Sequence, residues 1–475
     1  MHESTQLGHG FGYSRHILTF TISLKAELTK QNPNVLENTC SELSHFLDIN
    51  MQHITPPSEP NQLPLSGLWQ PRLNLKSLYY GEGCVANHLL SILPTTSSRA
   101  FIITGQSLNN KTPLVRNLEK LLGEHLAGTI SNIRQHGPLE DVEDAIETVL
   151  SARKSTATTG NSVEPNTSGS ATSSGCVDTI ISLGGGSPID TAKVVSLRFA
   201  ERHGTFLTHI AIPTTLSAAE CTAGGGYTKL DGVKVGFRAP EMGVSTIFYD
   251  PLFAQYTPRG LWLSTGLRAL DHAIECMYHP AAAEVPWKAL ALWAVSEFFE
   301  CLPRVAFSMK HGDDDVADGK TQVEMEHNQV ILRLMLAAFA SSGLKGENLP
   351  GGMGLSHSLG HALGSPYGIP HGVTSCMTLG RVVQLKAQQS ELNAMQLARL
   401  LPAMGGRRSG SDSQDALEVG ERIITLVKDL GIEVKPLSAY GVGKDQAPVI
   451  TLRALGGKQD DVLYGPVLHL VQSLY

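Results

Sequence analysis

Apolar positions along this chain change rhythm about halfway. Up to roughly residue 250, short continuous apolar runs alternate with stretches in which apolar residues recur every three to four positions. "RAFIIT" (99–104), "VDTIISL" (177–183) and "HIAIPTT" (209–215) read as strands or strand ends buried on both faces. "GQSLNN" (105–110) reads as a turn; "TPLVRNLEKLLGEHL" (112–126), "DVEDAIETVLSARK" (141–154) and the stretch after "GGG" read as helices. Alternating strands and helices imply a parallel sheet covered on both faces. After Pro251 strand-like runs disappear. "ALDHAIECMYH", "PWKALALWAVSEFFECL", "VILRLMLAAFASSG", "LNAMQLARLLPAM" and "ALEVGERIITLVKDLG" all carry helical periodicity. The expected fold is an α/β N-terminal domain followed by an all-α C-terminal domain.

The boundaries follow composition. Residues 1–75, with the Pro- and Ser-rich "QHITPPSEPNQLPLSG" (52–67), read as a partly disordered N-terminal extension, in which "VLENTCSELSHFLDI" has the spacing of one helix. Residues 76–255 form the α/β domain, interrupted by a disordered Ser/Thr/Gly-rich insert at 155–175, and residues 256–475 form the helical one. The acidic "HGDDDVADGK" (311–320) reads as a solvated loop.

Bulk composition narrows the function classes. Over 475 residues the chain is 41% hydrophobic and 17% charged, which suits a globular protein. A formal net charge of -7, with no basic run among aromatics, argues against a nucleic-acid partner. No apolar run approaches the roughly 20 residues of a membrane span, and the N-terminus lacks the pattern of a secretory signal. The seven cysteines are scattered and never form CxxC, pointing to a reducing compartment. A cytoplasmic location is expected.

Three stretches carry chemistry. "LGGGSPIDTAK" (183–193) hands a strand to a helix, with glycines that let a phosphate approach the backbone and a helix N-terminus that favours an anion. It is not GxGxxG. "IPTTLSAAECT" (212–222) adds a second turn after a second strand, with Thr214 and Thr215 hydroxyls; two such turns on one parallel sheet define a dinucleotide crevice. "GLSHSLGHALGSPYGIPHG" (354–372) sets His357, His361 and His371 among small residues, and His357 and His361 share a helix face. His279, before Pro280 at a helix end, reads as structural.

With "GGGSPIDTAK", "IPTT", "GLRALDHAIE" (266–275) and the three-histidine stretch in this order, the sequence resembles the iron-containing (group III) alcohol dehydrogenase family, which shares its fold with dehydroquinate synthase. The resemblance runs from about residue 78 to the C-terminus. It implies a nucleotide-binding domain, a helical catalytic domain and a reaction between them, with Gly185, Gly186, Ser187, Asp190, Thr214 and Thr215 lining the NAD(P) site. A homodimer acting on a small-molecule substrate is the assembly expected. In NAD-specific relatives an Asp ends the first strand and takes the ribose 2′-OH. Gly105 stands there, with Ser107, Asn109 and Lys111 behind it, so NADPH is favoured over NADH.

Metal-dependent relatives hold Fe²⁺ or Zn²⁺ with an Asp and a His four apart on one helix plus two further histidines. His272, His357 and His371 match the three histidines, but Arg268 occupies the Asp position. A guanidinium stays protonated and repels a cation, and Asp271 is turned roughly 100° from His272 around the helix. This departure resembles the maleylacetate reductase-like branch, although Ala219 replaces a serine common there. On this reading no metal is bound. Arg268 takes a substrate carboxylate or polarises a carbonyl, and His361, placed by the family near the nicotinamide, donates the proton. His272 is a further catalytic and substrate-binding residue, joined by His357 and His371. Alternatively Arg268 pairs internally with an acid on a neighbouring helix.

The expected function is NAD(P)H-dependent reduction of a carboxylate-bearing ketone or conjugated C=C. The alternatives are a metal-dependent alcohol dehydrogenase with His272, His357 and His371 as ligands, a dehydroquinate synthase-like cyclase, and a non-catalytic nucleotide-binding protein.

Overall fold

The computed structural model describes residues 74–135, 137–152, 177–228, 234–308, 320–346 and 352–475. The expectations for residues 1–73, the 155–175 insert and nearly all of the acidic loop lie outside them. Six strands form a parallel sheet: β1 (Ser77–Tyr80), β2 (Ala100–Thr104), β3 (Leu126–Ile130), β4 (Thr179–Gly184), β5 (Thr208–Pro213) and β8 (Thr246–Tyr249), in the order β1-β8-β5-β4-β2-β3. The Gly-rich β6 (Gly224–Thr228) and β7 (Lys234–Arg238) make a separate antiparallel pair.

Side-chain alternation explains why the strands read as solid apolar runs. Ile102, Ile181 and Leu183 pack on one face with Leu114, Leu118 and Leu122, whereas Phe101, Ile103 and Ile180 pack on the other with Ala192, Val195 and Phe199. Helices between these strands include α1 (Gln106–Lys111), α2 (Leu114–Leu122), α3 (Leu139–Ser151) and α4 (Gly186–His203). Two details differ from expectation. "GQSLNN" opens α1 rather than forming a bare turn, and "GEHL" does not continue α2: a 3-10 turn, Gly123–His125, leads into β3. Gly123, at φ 52 and ψ -120, ends the α-helix in a backbone conformation open to glycine.

From Arg259 onward the described residues form helices: α5 (Arg259–Tyr278), α6 (Ala289–Ser308), α7 (Lys320–Ser342), α8 (Leu355–Tyr367), α9 (His371–Gln389), α10 (Glu391–Ala398), α11 (Asp412–Asp429), α12 (Ala447–Ala454) and α13 (Tyr464–Gln472). The architecture is thus an α/β N-terminal part followed by a helical C-terminal part, and Gly67–Tyr475 forms one unit. Helix α5 is its axis. Every residue from Trp262 to Met277 is buried, with Trp262, Leu267, Leu270 and Ile274 in the largest apolar core. A helix buried all round leaves its polar side chains no access to water, so Arg268, Asp271, His272 and Glu275 need partners inside the protein.

Candidate active site

Strand order locates the first half of the site. From β2 the chain moves outward to β3, crosses back to β4, and continues the opposite way through β5 and β8, so the direction reverses between β2 and β4. The crevice beyond the carboxyl ends of strands at such a switch point is where open α/β sheets take ligands. Thr104 pairs with Leu183, which sets Gly105 beside the 184–186 turn. Thr214 N donates to Gly184 O (2.9 Å). A Cβ on Gly185 would stand 3.0 Å from Thr215 Cγ2, so only glycine allows the two turns to meet this closely. Ser187 and Asp190 lie in the first turns of α4, and Ser107 is exposed on α1.

The segment after Thr215 is tightly tied. Ala218 adopts left-handed backbone, φ 55. The fully buried Lys193 donates from Nζ to Ala219 O (2.7 Å), Thr222 Oγ1 (2.8 Å) and Gly224 O (2.9 Å), and pairs with Asp190 (3.3 Å). The sheet turn also docks on α5: Leu216 N donates to Thr265 Oγ1 (3.2 Å), three residues before Arg268.

The second half of the site is built by α5, α8 and the start of α9. The rings of His272 and His357 lie 5.5 Å apart, those of His357 and His361 4.7 Å, and those of His361 and His371 5.2 Å. This row of four imidazoles runs from buried His272 through His357 and exposed His361 to half-buried His371. All four histidines singled out from the sequence therefore come together, with Arg268 beside them. His279 caps the end of α5 and accepts from Ala281 N through Nδ1 (3.2 Å).

Arg268 is held on several sides. Its Nη1 donates to Asp271 Oδ2 (3.3 Å) and Ser375 Oγ (3.2 Å), and its Nη2 lies 2.5 Å from His357 Nδ1 and 3.3 Å from His357 Nε2. The internal ion pair is with Asp271 on its own helix, not with an acid on a neighbouring one. Gly360 makes room, since a Cβ there would sit 3.2 Å from Arg268 Nη1 and 3.1 Å from Thr374 Oγ1.

Sequence reasoning missed the shell behind these residues. The rotation that turns Asp271 away from His272 aims it at Ser356 and Ser375, whose hydroxyls donate to Oδ2 at 2.8 and 2.7 Å. Glu275 accepts from Gly354 N (2.7 Å), Ser356 N (2.7 Å), His357 N (3.4 Å) and Tyr278 Oη (2.9 Å), thereby capping α8 with a carboxylate from α5. The available signal was spacing: Glu275 lies seven residues, two turns, after Arg268 on the same helix face.

Electrostatics follow from burial. Burial first, then the Arg268 charge, holds both His272 and His357 well below the ordinary imidazole range, with Lys345 also depressing His272. Burial pushes Asp271 up despite Arg268 and the serines, and pushes Glu275 up to about 8, aided by Asp271. At the imidazoles the potential is positive, since charged Arg268 disfavours a second cation there.

A divalent ion does not fit this arrangement. Arg268 Nη2 stands 2.5 Å from His357 Nδ1 and 3.3 Å from Nε2, so a cation bound to that imidazole would stand beside a fixed positive charge. Among the described residues no group of three or more His, Cys, Asp or Glu side chains is arranged to hold a metal.

Comparison with known proteins agrees with this architecture. The chain is 29% identical over 209 residues to Dehydrogenase ALT3 of Alternaria alternata, covering 39% of this chain and 48% of the relative. It is 29% identical over 188 residues to a maleylacetate reductase of Rhizobium sp. (strain MTP-10005), covering 39% and 44%. The chain thus spans about half the length of the curated relatives it matches. The crystal structure of the maleylacetate reductase from that Rhizobium strain superposes with a TM-score of 0.63 at 23% identity, over 87% of this chain and 98% of that one, which shows a shared fold. Residues 163–251 match the model "Iron-containing alcohol dehydrogenase" and residues 262–466 the model "Fe-containing alcohol dehydrogenase family, C-terminal". Together these two matches take in more than half of the chain, which therefore belongs to the iron-containing alcohol dehydrogenase family.

Proposed function

We propose that this chain is an NAD(P)H-dependent oxidoreductase that delivers hydride to a carboxylate-bearing ketone or a C=C conjugated with a carbonyl or carboxylate, and that it does so without a bound metal. The observation that carries the reading is the guanidinium of Arg268 engaged with His357 where metal-dependent relatives place an anionic ligand. A fixed cation there favours a substrate that is already negative, or an oxygen that becomes negative as hydride arrives. The positive potential at His272 and His357 supports the same preference.

In this reading Gly105, Ser107, Gly185, Gly186, Ser187, Asp190, Thr214 and Thr215 bind the dinucleotide, and NADPH is the first cofactor to test because Gly105 puts no carboxylate against a 2′-phosphate. His272, His357 and His371 orient the substrate. His361, the exposed ring of the row, returns the proton. The enzyme works in the cytoplasm, as a homodimer.

The test is to purify the chain, measure bound metal, and screen oxo acids against matching neutral aldehydes and ketones with NADPH and NADH. Oxidation of the nicotinamide by oxo acids, unchanged after dialysis against EDTA, is expected. Loss of turnover on chelation, with recovery on adding Fe²⁺ or Zn²⁺, would instead support a metal-dependent alcohol dehydrogenase.

A further inference from the structure

The turn after β5 is anchored from the helical side as well as from the sheet. Thr214 N donates to Gly184 O (2.9 Å), and Thr214 O accepts from Thr257 Oγ1 (2.6 Å). Two residues on, Leu216 N donates to Thr265 Oγ1 (3.2 Å), whose own proton goes to Leu261 O (2.8 Å). Thr257 precedes α5, and Thr265 lies about two turns into it. One hydroxyl thus gives a proton to the turn and the other accepts one from it. Both protons end on backbone carbonyls, which makes the two threonines supports for the turn rather than donors to a ligand. Thr214, Leu216, Thr257 and Thr265 are all buried, so a backbone group deprived of its threonine partner has little water to replace it.

The Leu216 side chain follows its amide onto the helix. A Cβ on Gly266 would stand 3.2 Å from Leu216 Cδ1 and 2.7 Å from Leu302 Cδ2. Glycine therefore lets the turn lie directly on α5 at residues 265–266. Arg268 is three residues from Thr265, within one helical turn. Whatever fixes the turn on α5 also fixes it relative to the guanidinium.

We propose that Thr257 and Thr265 are positioning residues of the dinucleotide site, which hold the 214–216 turn in its binding shape so that Thr214 and Thr215 need not be ordered when the nucleotide arrives. Order set in advance spares the ligand that cost. The proposal rests on the dinucleotide site proposed above, and not on the choice of substrate or of metal.

The experiment titrates the full-length chain with NADPH and with NADH by nicotinamide fluorescence, with no oxo acid present. Thr265→Val keeps the branched shape and removes the acceptor from Leu216 N, whereas Thr257→Val removes the donor to Thr214 O. Each is expected to raise the Kd of the preferred nucleotide about tenfold, as when the turn is competent in about a tenth of the molecules. Thr265→Ser restores the hydroxyl and is expected to bind within about twofold of the unsubstituted chain. Thr451→Val deletes a buried hydroxyl bonded to Ala447 O (2.8 Å) on α12, where Ile450 packs with Leu359 and Leu363 of α8, and leaves the Kd unchanged. Circular dichroism shows which variants fold, and Thr257→Val carries the test if Thr265→Val does not. An unchanged Kd in a folded valine variant at 257 or 265, a serine variant as weak as Thr265→Val, or an equal loss in Thr451→Val would overturn the proposal and leave the dinucleotide site standing. An unsubstituted chain that binds neither nucleotide would remove that site, and the proposal with it.

Discussion

Replacing Arg268 by methionine isolates the buried ion pair. Methionine fills much of the same volume but removes the donors to Asp271, Ser375 and His357. Asp271 then keeps two serine hydroxyls on Oδ2, while Oδ1 already accepts no hydrogen bond. Removing one partner of a buried pair costs about 3–5 kcal/mol because the other charge is left uncompensated. The retained hydroxyls put the expected loss near the lower end, about 3 kcal/mol at neutral pH. The pH dependence gives the sharper test. Burial already holds the Asp271 carboxyl above its usual value, and loss of the guanidinium moves it higher. A carboxyl whose folded-state value exceeds its unfolded one favours the native chain when protonated. That stability is complete below the unfolded Asp range and is lost as pH rises through the folded value. The penalty of Arg268→Met should therefore be smallest in acid and grow toward alkaline pH. Urea midpoints of both proteins across a pH series measure it. A penalty independent of pH, or one that grows on acidification, would show that Asp271 is not the group left stranded.

Three further outcomes are expected. Arg268→Asp restores a carboxylate four residues before His272, so after dialysis the variant should retain about one divalent ion per chain by elemental analysis; a metal-free variant would mean that the three histidines no longer form a ligand set. Gly360→Ala pushes a methyl toward Arg268 Nη1 and Thr374 Oγ1, both within 3.2 Å of it, and should lower kcat/KM about tenfold with the fold intact by circular dichroism; unchanged kinetics would show that the guanidinium's position does not matter. Lys193→Met removes the charged donor that ties together the carbonyls of Ala219 and Gly224, leaving them the Thr222 hydroxyl, and should raise the Kd for reduced nicotinamide in a fluorescence titration while costing about 1–3 kcal/mol of stability. An unchanged Kd would remove the 219–224 segment from the cofactor site.

The sequence made the long elements plain and the short ones obscure. β2, β4 and β5 have enough residues buried on both faces to stand out as apolar runs, whereas β1 and β8, each four residues long, are too short for periodicity to register. β6 is largely glycine, which carries no strand signal, and β3 hides behind the helical spacing that precedes it. In the site, the imidazoles of residues 357, 361 and 371 stand out among small residues, whereas Arg268 and His272 could be found only through the family resemblance, which expects an Asp at position 268. Asp271 reads only as a candidate metal ligand, and Ser356, Ser375 and Glu275 escaped notice, because their work is done on protein atoms: serines and acids are common residues, and only the helix packing shows that their hydroxyls and carboxylates converge.

Glu275 grips α8 through the amides of residues 354, 356 and 357, two helical turns from residue 268. The joint between the two helices is thus separate from the Arg268 side chain. A substitution at residue 268 therefore leaves these α8 amides their acceptor, even as it disturbs Asp271, Ser375 and His357 around the guanidinium.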